Sequence, residues 1–121
     1  MIAALKSFPS YVAGFLCRGR VTRREYEETL IPAVEDALHA HHKICLYYET
    51  TADFTLDAGA VWEDFRFGLQ HLNRWDRIAV VTNVDWLQNA TRAFSFLFPG
   101  RVRVFRASEA EVARSWLAAG P

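Results

Sequence analysis

Three histidines crowd one place in the chain, His39, His41 and His42, and imidazoles so close together suggest a metal. A two-histidine site on a helix needs its rings four residues apart on one face, with further histidine or acidic ligands converging on the ion. Positions 39, 41 and 42 instead point in different directions, just where a helix is expected to end. Histidine near a helix C-terminus already complements the dipole there, so no metal is expected. The next candidates are Asp53, Asp57, Asn83 and Asp85, which all follow expected strand ends, where open α/β sheets bind ligands. Paired carboxylates in that position can move protons or hold magnesium. Asp57 and Asp85, however, stand where helix caps are needed, which accounts for their type and place. A phospho-receiver domain wants an acidic pair after an early strand, and Arg18-Gly-Arg20 occupies that place instead.

Nucleophiles fare no better. Ser95 and Ser115 fall inside expected helices with no histidine or acid partner. Cys17 and Cys45, the only cysteines, lie in apolar strand segments and read as small buried hydrophobes. No Gly-x-Gly-x-x-Gly, P-loop or Gly-x-Ser-x-Gly pattern is present. The expectation is a protein with no catalytic residues and no cofactor. An enzyme would require Asp57, Asp85 and His71 to converge with shifted pKa values. The 14 basic and 14 acidic residues cancel, which excludes the strong positive field that nucleic acid requires. The basic cluster Arg18, Arg20, Arg23 and Arg24 is diluted at once by Glu25, Glu27 and Glu28, as on a solvated face. Met1 to Leu5 is too short an apolar run for a signal peptide. No stretch reaches the roughly 20 apolar residues of a membrane span. A cytoplasmic protein is expected.

The elements that must position these residues alternate between strand and helix. With 121 residues, half of them hydrophobic, the chain reads as one domain, 1–121, with enough apolar side chains for a core. Met1 to Leu5 and Ser10 to Cys17 read as strands joined by a turn containing Pro9, a connection so short that the pair must be antiparallel. Thr22 opens a helix, with Glu25 closing a capping box. Tyr26, Leu30, Ala33, Val34, Ala37 and Leu38 share one face of it. Pro32 removes an N–H from its interior, so a kink costing about 3 kcal/mol is expected. Lys43 to Glu49 is a strand and Thr50 to Asp57 a polar loop. Asp57 caps a helix from Ala58 to Leu72, with Val61, Trp62, Phe65, Leu69 and Leu72 as its core stripe and Gly68 on the same side. Arg77 to Thr82 is β-branched and apolar, as a strand covered on both faces must be. Asp85 then caps a helix over Trp86 to Phe98, with Gln88 in capping-box position and Pro99-Gly100 as its stop. Arg101 to Phe105 alternates as a half-exposed strand. Ser108 and Glu111 form a capping box for a last helix ending near Ala118. The order is ββαβαβαβα: an α/β mixed sheet with an antiparallel first hairpin, then parallel strands with crossover helices.

This order, with Thr22-Arg-Arg-Glu-Tyr26, Leu30-Ile-Pro32, Trp62-Glu-Asp64, Leu69-Gln-His71, Trp75-Asp-Arg-Ile-Ala-Val-Val-Thr82, Asp85-Trp86 and Phe98-Pro-Gly-Arg-Val-Arg-Val-Phe105, resembles the SpoIIAA-like branch of the STAS fold. That fold is itself similar to the lipid-binding Sec14/CRAL-TRIO domains. The resemblance implies a binding or regulatory module. The anti-sigma-factor antagonists of the fold carry a phosphorylatable serine in an Asp-Ser-Ser/Thr-Gly pattern at a helix start. Here the corresponding stretch is Asp53-Phe-Thr-Leu-Asp57-Ala58-Gly59, and Ala58 cannot accept a phosphoryl group.

The aromatics carry the functional expectation. Trp86, Leu87, Ala90, Ala93, Phe94, Leu97 and Phe98 share the apolar side of the third helix, whereas Phe96 falls on its polar side. Phe67 lies opposite the stripe of the second helix, beside Glu63, Asp64 and His71. Two stray phenylalanines on successive helices suggest an exposed apolar surface. The first expectation is therefore a non-enzymatic module for an apolar or amphipathic, lipid-like ligand or a membrane surface. Trp62, Phe65, Leu69, Trp86, Phe94 and Phe98 would line its pocket, with Phe67 and Phe96 as surface contacts. The alternative is a protein–protein module, a homodimer or a regulatory partner resembling the anti-sigma antagonists.

Overall fold

The structure, a computed structural model, describes residues 1–98 and 101–119; at Asp64, Phe65, Leu69 and Leu72 it describes the backbone alone. The expected stop at Pro99-Gly100 lies outside the described residues. The strands are β1 (Ile2–Leu5), β2 (Val12–Cys17), β3 (Arg20–Val21), β4 (Ile44–Thr50), β5 (Thr55–Leu56), β6 (Trp75–Val81) and β7 (Arg101–Phe105). The helices are α1 (Arg23–Glu25), α2 (Ile31–Ala40), α3 (Ala58–Gln70), α4 (Asp85–Phe94) and α5 (Ala110–Ala118). The five longer strands form one sheet in the order β1-β2-β4-β6-β7. β1 is antiparallel to β2, and every other pair in the sheet is parallel. This is the mixed sheet expected from the sequence.

Two apolar layers follow from the alternation of strand side chains. On one face Phe15, Tyr48, Ile78 and Val80 meet Tyr26, Leu30, Val34 and Leu38 of the first helical segment and Phe67 of α3. On the other face Cys45, Tyr47, Ala79, Val81 and Phe105 pack against Ala113 and Leu117 of α5. Gly14 is required on that side, because a Cβ there would stand 2.4 Å from the Phe8 ring.

Several local expectations change. The helix departs from regular α geometry just before Pro32. Residues Tyr26–Leu30 form a π-helical turn in which the Ile31 N–H reaches back to the Tyr26 carbonyl. Pro32 follows directly on this widened turn, at the start of α2 within a continuous helical run. The loop from Thr50 to Asp57 contains β5, which pairs with β3 in a small parallel two-stranded sheet. Strands of two residues are too short to show a period. Gly19 makes the tight entry to β3, at φ +58°. The Thr22–Glu25 capping box forms as expected, and Asp57 caps α3 by accepting from the Ala60 N–H at 2.8 Å. Asp85 does not cap α4. Val84 holds the cap position, and the Thr82 hydroxyl accepts the Val84 N–H at 3.0 Å. Gln88 donates its side-chain amide to the Thr82 carbonyl at 2.7 Å instead of closing a box. The last helix is entered through a 3₁₀ turn, Ala107–Glu109, two residues before the expected Ser108–Glu111 box; there Glu109 accepts from the Arg106 N–H at 2.8 Å.

Candidate functional site

Between α3, α4 and the sheet lies an apolar cavity of about 260 Å³. Its floor is the sheet face carrying Leu46 and Tyr48 of β4, Trp75, Ile78 and Val80 of β6 and Val102 of β7. Its walls come from Phe67 and Gly68 of α3, from Leu87, Ala90 and Phe94 of α4, and from Phe98. The lining runs along β6 from Trp75 to Val80, a span of roughly 16 Å at the strand rise. A Cβ placed on Gly68 would lie 3.5 Å from the Phe98 ring, an ordinary contact, so Gly68 sets α3 beside the segment after α4 without glycine being required there.

The polar groups of this cavity are few. The hydroxyls of Tyr26 and Tyr48 share a buried hydrogen bond of 2.7 Å. The hydroxyls of Thr91 and Ser95 donate to the Leu87 and Arg92 carbonyls and are spent on their own helix. The Trp75 indole N–H is buried with no acceptor among the described residues. Among the described residues no charged side chain lines the walls. Such a lining is unfavourable to a bare ion and is chemically compatible with hydrocarbon.

The expected lining residues separate into those at the cavity and those elsewhere. Trp86, Phe94 and Phe98 stand at it. Trp86 is half-exposed at the rim and stacks on Phe54, with centroids 5.8 Å apart and planes 13° from parallel. Trp62 does not line the cavity and is 58% exposed. The side chains of Phe65 and Leu69 lie outside the described residues. Phe67, expected on the surface, is only 8% exposed and forms part of the wall. The cause is the rotation of α3, which turns Ala60, Glu63 and Phe67 inward. Glu63 makes that orientation possible: Arg66 holds both its carboxylate oxygens at 3.0 and 3.1 Å, and Arg23 approaches to 3.4 Å. Phe96 is 79% exposed, in the 3₁₀ turn Ser95–Leu97 that replaces the last part of the expected helix. Tyr26, Tyr48 and Trp75 were missed as lining residues; the two-residue period of β4 and β6, extended to the neighbouring strand, is the signal that marks Tyr48.

The acids after the strand ends serve the scaffold. Asp53 accepts from the Thr51 hydroxyl and, at 3.3 Å, from the Gly19 N–H, and these bonds hold its carboxyl below the usual range. Asn83 accepts from the Ala107 N–H at 3.0 Å. His41 shares a hydrogen bond of 2.9 Å with Ser10, and His71 sets its ring edge-on to Phe67. Among the described residues no three His, Cys, Asp or Glu side chains gather to hold a metal. Cys17 and Cys45 are buried and form no disulfide, and burial pushes the Cys45 thiol up to about 11. No helix among the described residues is long and apolar enough to cross a membrane.

Comparison with known proteins agrees with this architecture. An uncharacterized protein of the DUF3478 family from Shewanella loihica PV-4, whose crystal structure has a SpoIIAA-like fold, superposes with a TM-score of 0.69 at 24% identity. The match covers 97% of this chain and 92% of that one, and it speaks to fold alone. No curated protein matches the chain. The SpoIIAA-like family model matches residues 12–118, so the cavity and both of its covering helices fall within it, and the chain belongs to the SpoIIAA-like family.

Proposed function

We propose that this protein is a non-enzymatic binding module that holds an elongated apolar or amphipathic ligand in the cavity between α3, α4 and the sheet. The observation that carries this reading is the cavity wall: hydrocarbon along β6, with the polar groups of the described residues limited to the Tyr26–Tyr48 hydroxyl pair, the Trp75 N–H and the helix-bonded hydroxyls of Thr91 and Ser95. At about 30 Å³ per group, close to the liquid volume of a water, 260 Å³ takes a chain of roughly eight or nine carbons. The hydroxyl pair suits a carbonyl or hydroxyl on the ligand. α4 is the natural gate, because none of its residues is buried and Trp86 and Phe94 stand half in solvent. The test is a titration with a brominated medium-chain fatty acid, read by quenching of tryptophan fluorescence. Saturable quenching that Phe94→Asp weakens about tenfold, with circular dichroism unchanged, supports the reading. Equal quenching in the variant and a fully exposed tryptophan control argues against it.

A second reading is favoured by Phe96, which stands 79% exposed at the end of α4. On that reading the face is a contact with a second copy or a regulatory partner, and Phe96→Ser alters the oligomeric state while the monomer stays folded.

A further inference from the structure

β7 ends the sheet, so one side of its backbone faces away from every other described strand. The Phe105 carbonyl accepts from the Thr82 N–H on the sheet side. Strand geometry then turns the N–H and C=O groups of Val102 and Val104 outward, and neither residue's backbone has a hydrogen-bond partner outside the sheet ladder among the described residues. Arg101 and Arg103 flank this edge and are exposed. Arg101 lies directly opposite Arg77 in the ladder, a like-charge pair that is unfavourable by itself. None of the three forms an ion pair with a described acid. Instead the guanidinium groups of Arg77 and Arg103 stand 5.4 and 5.2 Å from the Trp116 ring centroid, and Arg77 donates to the Trp116 carbonyl at 2.5 Å. In a chain of zero net charge, residues 101–106 hold three arginines and no acid.

We propose that the outer edge of β7 is a docking site for an extended acidic segment of a partner protein, added to the sheet as a further strand. Free backbone donors and acceptors supply the pairing, and carboxylates two residues apart on the added strand neutralise Arg101 and Arg103. Charge selects this occupant over a second copy: antiparallel self-pairing about Arg103 sets that arginine against itself. The site lies on the outer edge of β7 and does not depend on the cavity holding a ligand.

The experiment uses the whole protein and a labelled pentapeptide of alternating glutamate and valine, with three controls. These are the glutamine analogue, a backbone N-methylated analogue, and vesicles of anionic lipid. Binding is read by fluorescence anisotropy and by hydrogen exchange at the Val102 and Val104 amides. The proposal requires saturable binding, slowed exchange at both amides, and weakening of about tenfold or more by N-methylation and by Arg101→Glu with Arg103→Glu. Equal binding of the N-methylated peptide overturns it, since charge alone then suffices. Binding of vesicles without slowed exchange, or no peptide binding at all, also overturns it. Exchange on the unmodified protein decides the matter even where the double variant fails to fold.

Discussion

Glu63 is a carboxylate only 3% exposed, on a helix face that polarity alone assigns to solvent. Its burial is possible because Arg66 and Arg23 satisfy it. Both arginines are half-exposed and can rehydrate when the carboxylate is removed. Glu63→Ala should therefore lower stability by about 1–2 kcal/mol, below the range for a fully buried pair, as read by urea unfolding. The pattern of α3 was legible only in part for this reason: a salt-bridged acid counts as polar on a helical wheel, and the partners that bury it come from outside the helix. Glu25 offers a pH test. Burial raises its pKa, but hydrogen bonds from the Thr22 N–H, the Met1 amino group and the Ile2 N–H together hold it below the ordinary value. A carboxyl depressed in the folded state contributes stability above its unfolded pKa and loses it as pH falls through the folded one. Glu25→Gln should thus shrink the loss of stability between pH 7 and pH 3, measured by denaturant melts. With its pKa raised to about 11, the Cys45 thiol stays protonated near neutrality. It should react with a disulfide reagent at pH 8 only at the rate of unfolding.

Elements read well where they are long and badly where they are short or externally supported. The five sheet strands are written in apolar runs and in the alternation of Arg101 to Phe105, and the structure places them within a residue or two of the expectation. The Thr22 and Asp57 caps were also legible, because capping needs only the local chain. Asp57→Ala should cost about 1 kcal/mol by the loss of its bond to the Ala60 N–H. The start of α4 was not legible, since no side chain caps it and the Thr82 hydroxyl, just after the preceding strand, instead holds the Val84 N–H. The turn at Tyr26–Leu30 shows another limit: the sequence marks a proline problem at Pro32 and does not say that a widened turn solves it. On the reading that the widened turn accommodates the proline ring, Pro32→Ala should change stability by less than about 1 kcal/mol in thermal melts. A gain near 3 kcal/mol would mean that the proline still disrupts a helix.

At the scale of the molecule, the two faces of the sheet are unequal. On the α5 face Tyr47, Ala79, Val81 and Phe105 pack with Ala113 and Leu117 in one buried cluster. The opposite face is covered by α3 and α4 around an apolar cavity, and α4 has no buried residue of its own. The excess of aromatics in these helices was visible in the sequence, and it led to Trp86, Phe94 and Phe98 at the cavity. It also led to Trp62, which stands outside, because helix rotation depends on Glu63. On the proposed reading, a helix that keeps its aromatics half in water beside an apolar cavity gains by closing on a ligand. The most direct test is native mass spectrometry of gently purified protein, paired with organic extraction of the same sample. The predicted result is a retained lipophilic molecule that appears in the extract and is absent from Phe94→Asp. A bare protein mass, with an empty extract and no uptake of added medium-chain lipid, would contradict the account.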